Sequence, residues 1–250
     1  MHKFVGVPNN FRRVKRFLMQ PERPRDAVSR PLALGGMAAP ALRLRGSFAF
    51  LEGMEPALHD LDLAVPAGEL VAVVGEVASG KSALLQAMVG ELFPCGPGGL
   101  VEGPAPGTGR LAYCAQVPWI FEGTLRENVQ LSQAFEPERY YRALYAAGLT
   151  ADLEILPGGD QVTIGSYGVR LSGGQRARVA LARAAYMEHA EVVLLDDPFA
   201  SVDVPTGQHI FEELVQGPAL QGKTRIVAAA EPRAHGRPPA RGAAAGRGHE

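Results

Sequence analysis

Two short stretches carry side chains whose types and spacing could do chemistry. The first is "VVGEVASGKS", in which Gly75, Gly80, Lys81 and Ser82 fit the pattern G-x-x-x-x-G-K-[ST]. Glycines let backbone N–H groups curl around an anion, and the start of a helix adds partial positive charge. A lysine at that spacing reaches the outer phosphates of a nucleotide, and a serine hydroxyl there is a Mg²⁺ ligand. An ordinary Gly-rich strand-to-helix turn would also fit the spacing, but the flanks favour phosphate. The loop follows the apolar run "ELVAVVG" and opens the helical pattern "KSALLQAMVGEL". Glu76 lies inside the loop, between the glycines that would face the anion. Its carboxylate would repel phosphate, so it is expected to point outward.

The second stretch is "EVVLLDDPFASVD", which sets Asp196 and Asp197 side by side after an apolar run. If both lie on a strand they point to opposite sides, which argues against a paired acid and base. A third stretch, "LSGGQRARVALARA" from Leu171 to Ala184, puts two glycines at a helix start. That arrangement suits phosphate contact, and it equally suits a helix capped by Ser172.

These stretches need elements to hold them. Alternation in "ALRLRGSFAF" and "LHDLDLAV" reads as strands, and "ELVAVVG", "EVVLLD" and "TRIVAAA" read as buried ones. Helical patterns cover Pro137 to Leu149 and Gly174 to Met187. Buried strands alternating with helices imply an α/β domain with a mainly parallel sheet. Residues 11–20, "FRRVKRFLMQ", form a short amphipathic helix pattern, and the Pro/Arg/Gly-rich chain up to Pro40 reads as a linker. Glu231 to Glu250 hold no large apolar side chain and are expected to be disordered.

Composition sets bounds. At 250 residues the chain holds one large domain or two small ones. A formal net charge of -1 gives no general pull toward nucleic acid or anionic lipid. Cys95 and Cys114 are not spaced as metal ligands and read as thiols of a reducing compartment. No apolar run approaches the roughly 18 residues of a membrane span, and no secretory signal is visible, so the chain reads as a soluble module.

Taken together, the phosphate loop, "AYCAQVPWIFEGTLRENV" with Gln116, "LSGGQ", "VVLLDDP" and "SVD" with Asp203 resemble the nucleotide-binding domain of ATP-binding cassette (ABC) transporters. The resemblance runs from about residue 41 to 230. "KFVGVPNNFRRVKRFLMQPE" and the short "LVEGPAPGTGRLAYCAQ" are similar to the first cassette of the multidrug-resistance-associated subfamily, subfamily C. The fold so implied is a P-loop NTPase ABC-type cassette. It has a RecA-like parallel-sheet core over 41–230 and an inserted helical subdomain at about 117–187. Residues 1–40 become a membrane-proximal connector. The family's last C-terminal strands and helices are missing, which implies a truncated C-terminal part.

The resemblance also implies roles. ATP and Mg²⁺ would sit between the phosphate loop of one cassette and the signature of a second, on the same or another chain. Gly75, Glu76, Val77, Ala78, Ser79, Gly80, Lys81, Ser82 and Ala83 would cradle the phosphates, and Phe50 would stack on adenine. Phe48 shares the strand face of Phe50 by alternation, so the choice rests on alignment to the motif. Ser82, Gln116 and Asp196 would hold the metal. Leu171, Ser172, Gly173, Gly174, Gln175 and Asp203 would meet the partner's nucleotide or the partner itself. Capping, turn or surface roles remain open for Gln116, Asp196, Asp203 and the signature.

Two positions depart from the family's hydrolytic pattern. The residue after the metal-linked aspartate is Asp197 rather than glutamate, a retreat of roughly 1 Å from the attacking water, worth about 10²-fold in rate. The family's γ-phosphate histidine is replaced by Ala230, and His235 falls too late. Weak hydrolysis is therefore expected, or a regulatory module that binds nucleotide without turnover. The implied setting is the cytoplasmic face of a membrane, with the transmembrane domain of an exporter as partner. Trp119 and Phe121, beside Gln116, are expected to dock there.

Overall fold

The computed structural model describes residues 40–104, 107–165 and 168–229. The amphipathic stretch 11–20, the linker before Pro40, Ala230 and the tail 231–250 lie outside the described residues.

Among the described residues nine strands run in the order β1 (Pro40–Ala49), β2 (Leu58–Pro66), β3 (Leu70–Val74), β4 (Phe93–Glu102), β5 (Leu111–Cys114), β6 (Gly123–Thr124), β7 (Thr163–Ile164), β8 (Val192–Asp196) and β9 (Thr224–Ala229). The central sheet has the order β3-β9-β8-β5 and every pairing in it is parallel. Its strands are continuous apolar runs because both faces are covered. Along β8, Val192 and Leu194 join one core while Val193 and Leu195 join the other. An antiparallel sheet, β2-β1-β4, packs on the first side. Strand β4 reads in sequence as a turn-rich passage, since it holds Pro94, Pro97 and three glycines. It pairs on one side only, at the sheet edge, where missing N–H donors are tolerated.

The α-helices are α1 (Lys81–Val89), α2 (Leu125–Gln130), α3 (Pro137–Ala146), α4 (Thr150–Ile155), α5 (Gly173–Tyr186) and α6 (Val204–Ile210). Helix α1 packs between the antiparallel sheet and one face of the parallel sheet, through Leu84, Leu85 and Met88. Helices α2, α3 and α5 cover the other face. Three expected boundaries move. Helix α1 stops at Val89 rather than Leu92, because Gly90 takes a left-handed conformation at φ 82. Helix α3 stops at Ala146 rather than Leu149, just before Gly148 at φ 69. Strand β1 ends at Ala49, after a register irregularity between Gly46 and Phe48, so Phe50 has left the strand.

Among the described residues no helix is long and apolar enough to cross a membrane, and no group of three or more His, Cys, Asp or Glu could hold a metal. Cys95 and Cys114 are free thiols. Burial pushes the Cys114 thiol up to about 12, so it stays protonated in the core.

Candidate nucleotide site

The turn from β3 into α1 forms the floor of a cleft of about 390 Å³. Gly80 is the N-cap of α1 at φ 91, a conformation that strains any residue with a Cβ. Lys81 then opens the helix. Its ammonium donates to the carbonyls of Gly75 at 2.8 Å and Glu76 at 2.6 Å, so it lies folded onto its own loop. Glu76 and Ser79 are both exposed. The Ser82 hydroxyl donates to Asp196 Oδ1 at 3.1 Å. Asp196 is only 4% exposed, and its other oxygen accepts from the Tyr113 hydroxyl at 3.4 Å. Burial, and then the charge of Asp196, raise the Tyr113 hydroxyl above its usual range, so it remains a donor.

The cleft is lined by Val77, Ala78, Gly80, Lys81, Ser82 and Ala83 from the loop and helix. Asp196, Asp197, Gln116, Ala57 and Phe50 complete it. The two phenylalanines left open by alternation separate here. Phe48 is fully buried in the core, whereas Phe50 is 54% exposed and stands at the cleft.

Asp197 corrects the expectation of opposite-facing neighbours. Strand β8 ends at Asp196, and Asp197 turns off it at φ 48. Its N–H donates to the Ala228 carbonyl at 2.8 Å, and its carbonyl accepts from the Ala200 N–H at 3.2 Å. Aspartate tolerates the left-handed region better than most residues. The turn breaks the period-2 alternation, so both aspartates border one cleft.

Ser82 and Asp196 offer a hydroxyl and one carboxylate, both hard oxygen donors, side by side. That set suits Mg²⁺, which commonly uses one or two protein oxygens together with substrate phosphates rather than a full protein cage. The described residues hold no such cage, so a metal at this place would arrive with its phosphates.

The signature lies elsewhere. Ser172 caps α5: its hydroxyl accepts from the Gln175 N–H at 3.1 Å, while Gln175 Oε1 accepts from the Ser172 N–H at 2.8 Å. This reciprocal box satisfies two amides at the helix start. A Cβ on Gly174 would come within 2.6 Å of the Ser201 carbonyl, so the signature turn packs against the loop that leads to Asp203. Asp203 caps α6, accepting from the Thr206 N–H and hydroxyl, and these bonds hold its carboxyl below the usual range. Leu171, Ser172, Gly173, Gly174, Gln175 and Asp203 are not among the residues lining the cleft.

A phosphate loop, a serine bonded to a buried aspartate and a capped glycine signature on one parallel sheet are the parts of a known architecture. Residues 58–200 match the family described as ABC transporter. The chain belongs to that family. It is 44% identical to ATP-binding cassette sub-family C member 3 of Homo sapiens over 220 residues, 87% of this chain and 14% of that protein. Multidrug resistance protein mrp-7 of Caenorhabditis elegans is also 44% identical, over 222 residues, 86% of this chain and 14% of that one. ATP-binding cassette sub-family C member 4 of Homo sapiens is 47% identical over 157 residues, 63% of this chain and 11% of the relative. The chain thus spans about one seventh of the length of the first two relatives.

Within this ABC cassette the loop after Gln116 is held from the signature helix. Arg183, on α5, donates to the carbonyls of Asn128 at 2.7 Å and Trp119 at 3.0 Å and to Asn128 Oδ1 at 3.3 Å. Asn128 is fully buried and bonds in turn to both backbone groups of Phe121. Trp119 is 63% exposed, with its ring 5.4 Å from Phe121 and 5.3 Å from the Arg183 guanidinium. Phe121 is half-buried. Sequence reasoning missed Tyr113, Asn128 and Arg183. For Tyr113 the one available signal was its place in "AYCAQ", on the strand that leads to Gln116. Arg183 and Asn128 bond to each other across 55 residues, which local patterning does not carry.

Proposed function

We propose that this chain is the ATP-binding cassette of a subfamily C exporter, binding Mg-ATP and hydrolysing it weakly. The observation that carries the reading is the convergence of Lys81, Ser82 and Asp196 in one cleft with Phe50 at its mouth. Phe50 supplies an aromatic face for the base. The loop amides and the α1 N-terminus receive the phosphates. Lys81 exchanges its bonds to the loop carbonyls for bonds to phosphate oxygens. Ser82, Asp196 and Gln116 are the residues that would hold Mg²⁺, which when bound neutralises charge on the outer phosphates. The signature stands apart from this cleft, which supports a head-to-tail pair in which Ser172 and its neighbours meet the nucleotide of a second cassette. Ser172 keeps its hydroxyl proton free for that role, because in the capping box it only accepts. The exposed ring of Trp119 beside Gln116 supports docking of a transmembrane domain at that loop. Kinship with the ABC transporter family supports an assembly at the cytoplasmic face of a membrane.

Asp197 favours a second reading, a regulatory cassette whose bound ATP holds the pair closed without turnover. Both readings require nucleotide binding, and calorimetry with Mg-ATP tests it. Lys81→Ala should abolish binding with the circular dichroism spectrum unchanged. Equal affinity in the two proteins would overturn the assignment.

A further inference from the structure

We propose that Asp152 is a positioning residue that sets the polarity of the signature turn. The inference rests on the reading that Ser172 and the first turn of α5 meet nucleotide. Asp152 lies on the short helix α4, and its side chain is 14% exposed. Oδ1 accepts from Gln175 Nε2 at 2.9 Å, and Oδ2 accepts from the Arg178 guanidinium at 2.7 Å. Two donors on one helix therefore converge on one carboxylate, which can only accept.

The consequence falls on Gln175. A glutamine amide has one accepting end and one donating end. Because Asp152 binds the donating end, the accepting end must face the other way, toward the Ser172 N–H, where it closes the capping box at 2.8 Å. With that amide satisfied, the Ser172 hydroxyl accepts from Gln175 N–H, which leaves its own proton available for a ligand oxygen. The remaining amides of the first turn lack intrahelical partners and are open to an anion. Asp152 does not touch this face. It acts through Gln175.

The proposal predicts a pattern that a simple ion pair with Arg178 would not give. In Asp152→Asn the new amide oxygen stays with the charged Arg178, and the new NH₂ turns to Gln175 Nε2. Two donors then oppose each other. If Gln175 flips, its NH₂ opposes the Ser172 N–H instead. Either way the box opens. In Gln175→Glu alone, two carboxylates oppose each other, and the box again opens. Combined, the two changes restore a full set: the introduced asparagine amide donates to one oxygen of the introduced glutamate, and the Ser172 N–H donates to the other.

The experiment is hydrogen exchange at the backbone amides of Ser172 and Gln175 in the full chain. Each single variant should exchange about fivefold to tenfold faster than wild type at Ser172, and the double variant should return to wild-type protection. Sedimentation with Mg-ATP and an active second cassette of subfamily C gives the functional arm: association falls in Asp152→Asn, which leaves every residue of the signature turn in place. Unchanged exchange in Asp152→Asn, or effects that add in the double variant, would overturn the proposal. So would unchanged association in Asp152→Asn when its exchange has changed. If wild type fails to bind Mg-ATP, the proposed function fails instead, and the exchange pattern still decides the role of Asp152.

Discussion

At the scale of single residues, the proposed function separates holding a nucleotide from cleaving it. Ser82, Asp196 and Tyr113 form a short chain of hydrogen bonds that fixes one carboxylate, buried to 4% exposure. Asp197 is placed by its backbone, through the N–H bond to Ala228 and a left-handed φ of 48. Its side chain then has only one methylene with which to reach into the cleft. Lengthening it advances the carboxylate by roughly 1 Å, a displacement that can change a rate about 10²-fold. Asp197→Glu should therefore raise ATP turnover at saturating Mg-ATP by about tenfold to a hundredfold. Adding Ala230→His should raise it further, though by less than a second full factor, because both groups act on one site. The assay is phosphate release beside an active partner cassette, with Lys81→Ala as the control. Brisk turnover by the unaltered chain would show that aspartate suffices.

At the scale of elements, helix α5 does two jobs at its two ends. Its first turn carries the capped signature, and near its last turn Arg183 reaches over to the loop after Gln116. A rigid helix of 14 residues thus joins the signature to the exposed aromatic loop. Arg183→Ala would leave the Trp119 and Asn128 carbonyls without this donor, at a cost of about 1–3 kcal/mol for part-buried groups. Trp119 is the only tryptophan in the chain, so fluorescence reads the loop directly. Its emission should shift to longer wavelength and become more open to iodide quenching; an unchanged spectrum would mean that the loop holds itself. Much of this layout was legible beforehand where the cause is local. The strand–loop–helix order around Lys81, the buried runs of β8 and β9 and the start of α5 all follow from period and capping chemistry within a few residues. Strand β4 was hidden because its prolines and glycines read as a loop, and only its place at a sheet edge allows them to pair. Asp197 was misplaced because alternation says nothing of where a strand stops. Asp152 and Arg183 were invisible because their partners lie 23 and 55 or more residues away.

At the scale of the whole molecule, the parallel sheet is shared by two cores, and that bears on whether the helical stretch at about 117–187 is a unit of its own. Leu85 of α1 lies fully buried among the residues of the first core, with Val192, Leu194 and Ile226 from the sheet. Leu144 of α3 lies buried in the second, with Val193, Leu195 and Val227 from neighbouring positions of the same strands. Each strand therefore needs cover on both faces, and loss of either cover would expose a row of Val and Leu side chains to water. Such coupling predicts that the described part of the chain unfolds as one cooperative unit. Leu85→Ala and Leu144→Ala should each lower stability by about 2–5 kcal/mol through lost burial and the cavity left behind. Both should do so with one transition, in which Trp119 fluorescence, far-ultraviolet circular dichroism and Mg-ATP binding disappear together in urea. The nucleotide cleft borders the first core through Ala83, and the loop of Trp119 packs on the second through Ile120, so the two sites report opposite sides of the sheet. A Leu144→Ala protein that loses its Trp119 signal at low urea while still binding Mg-ATP would show an independent helical subdomain. A shared midpoint would mean that the phosphate loop and the aromatic loop ride on one folded body, whose two faces are lost together.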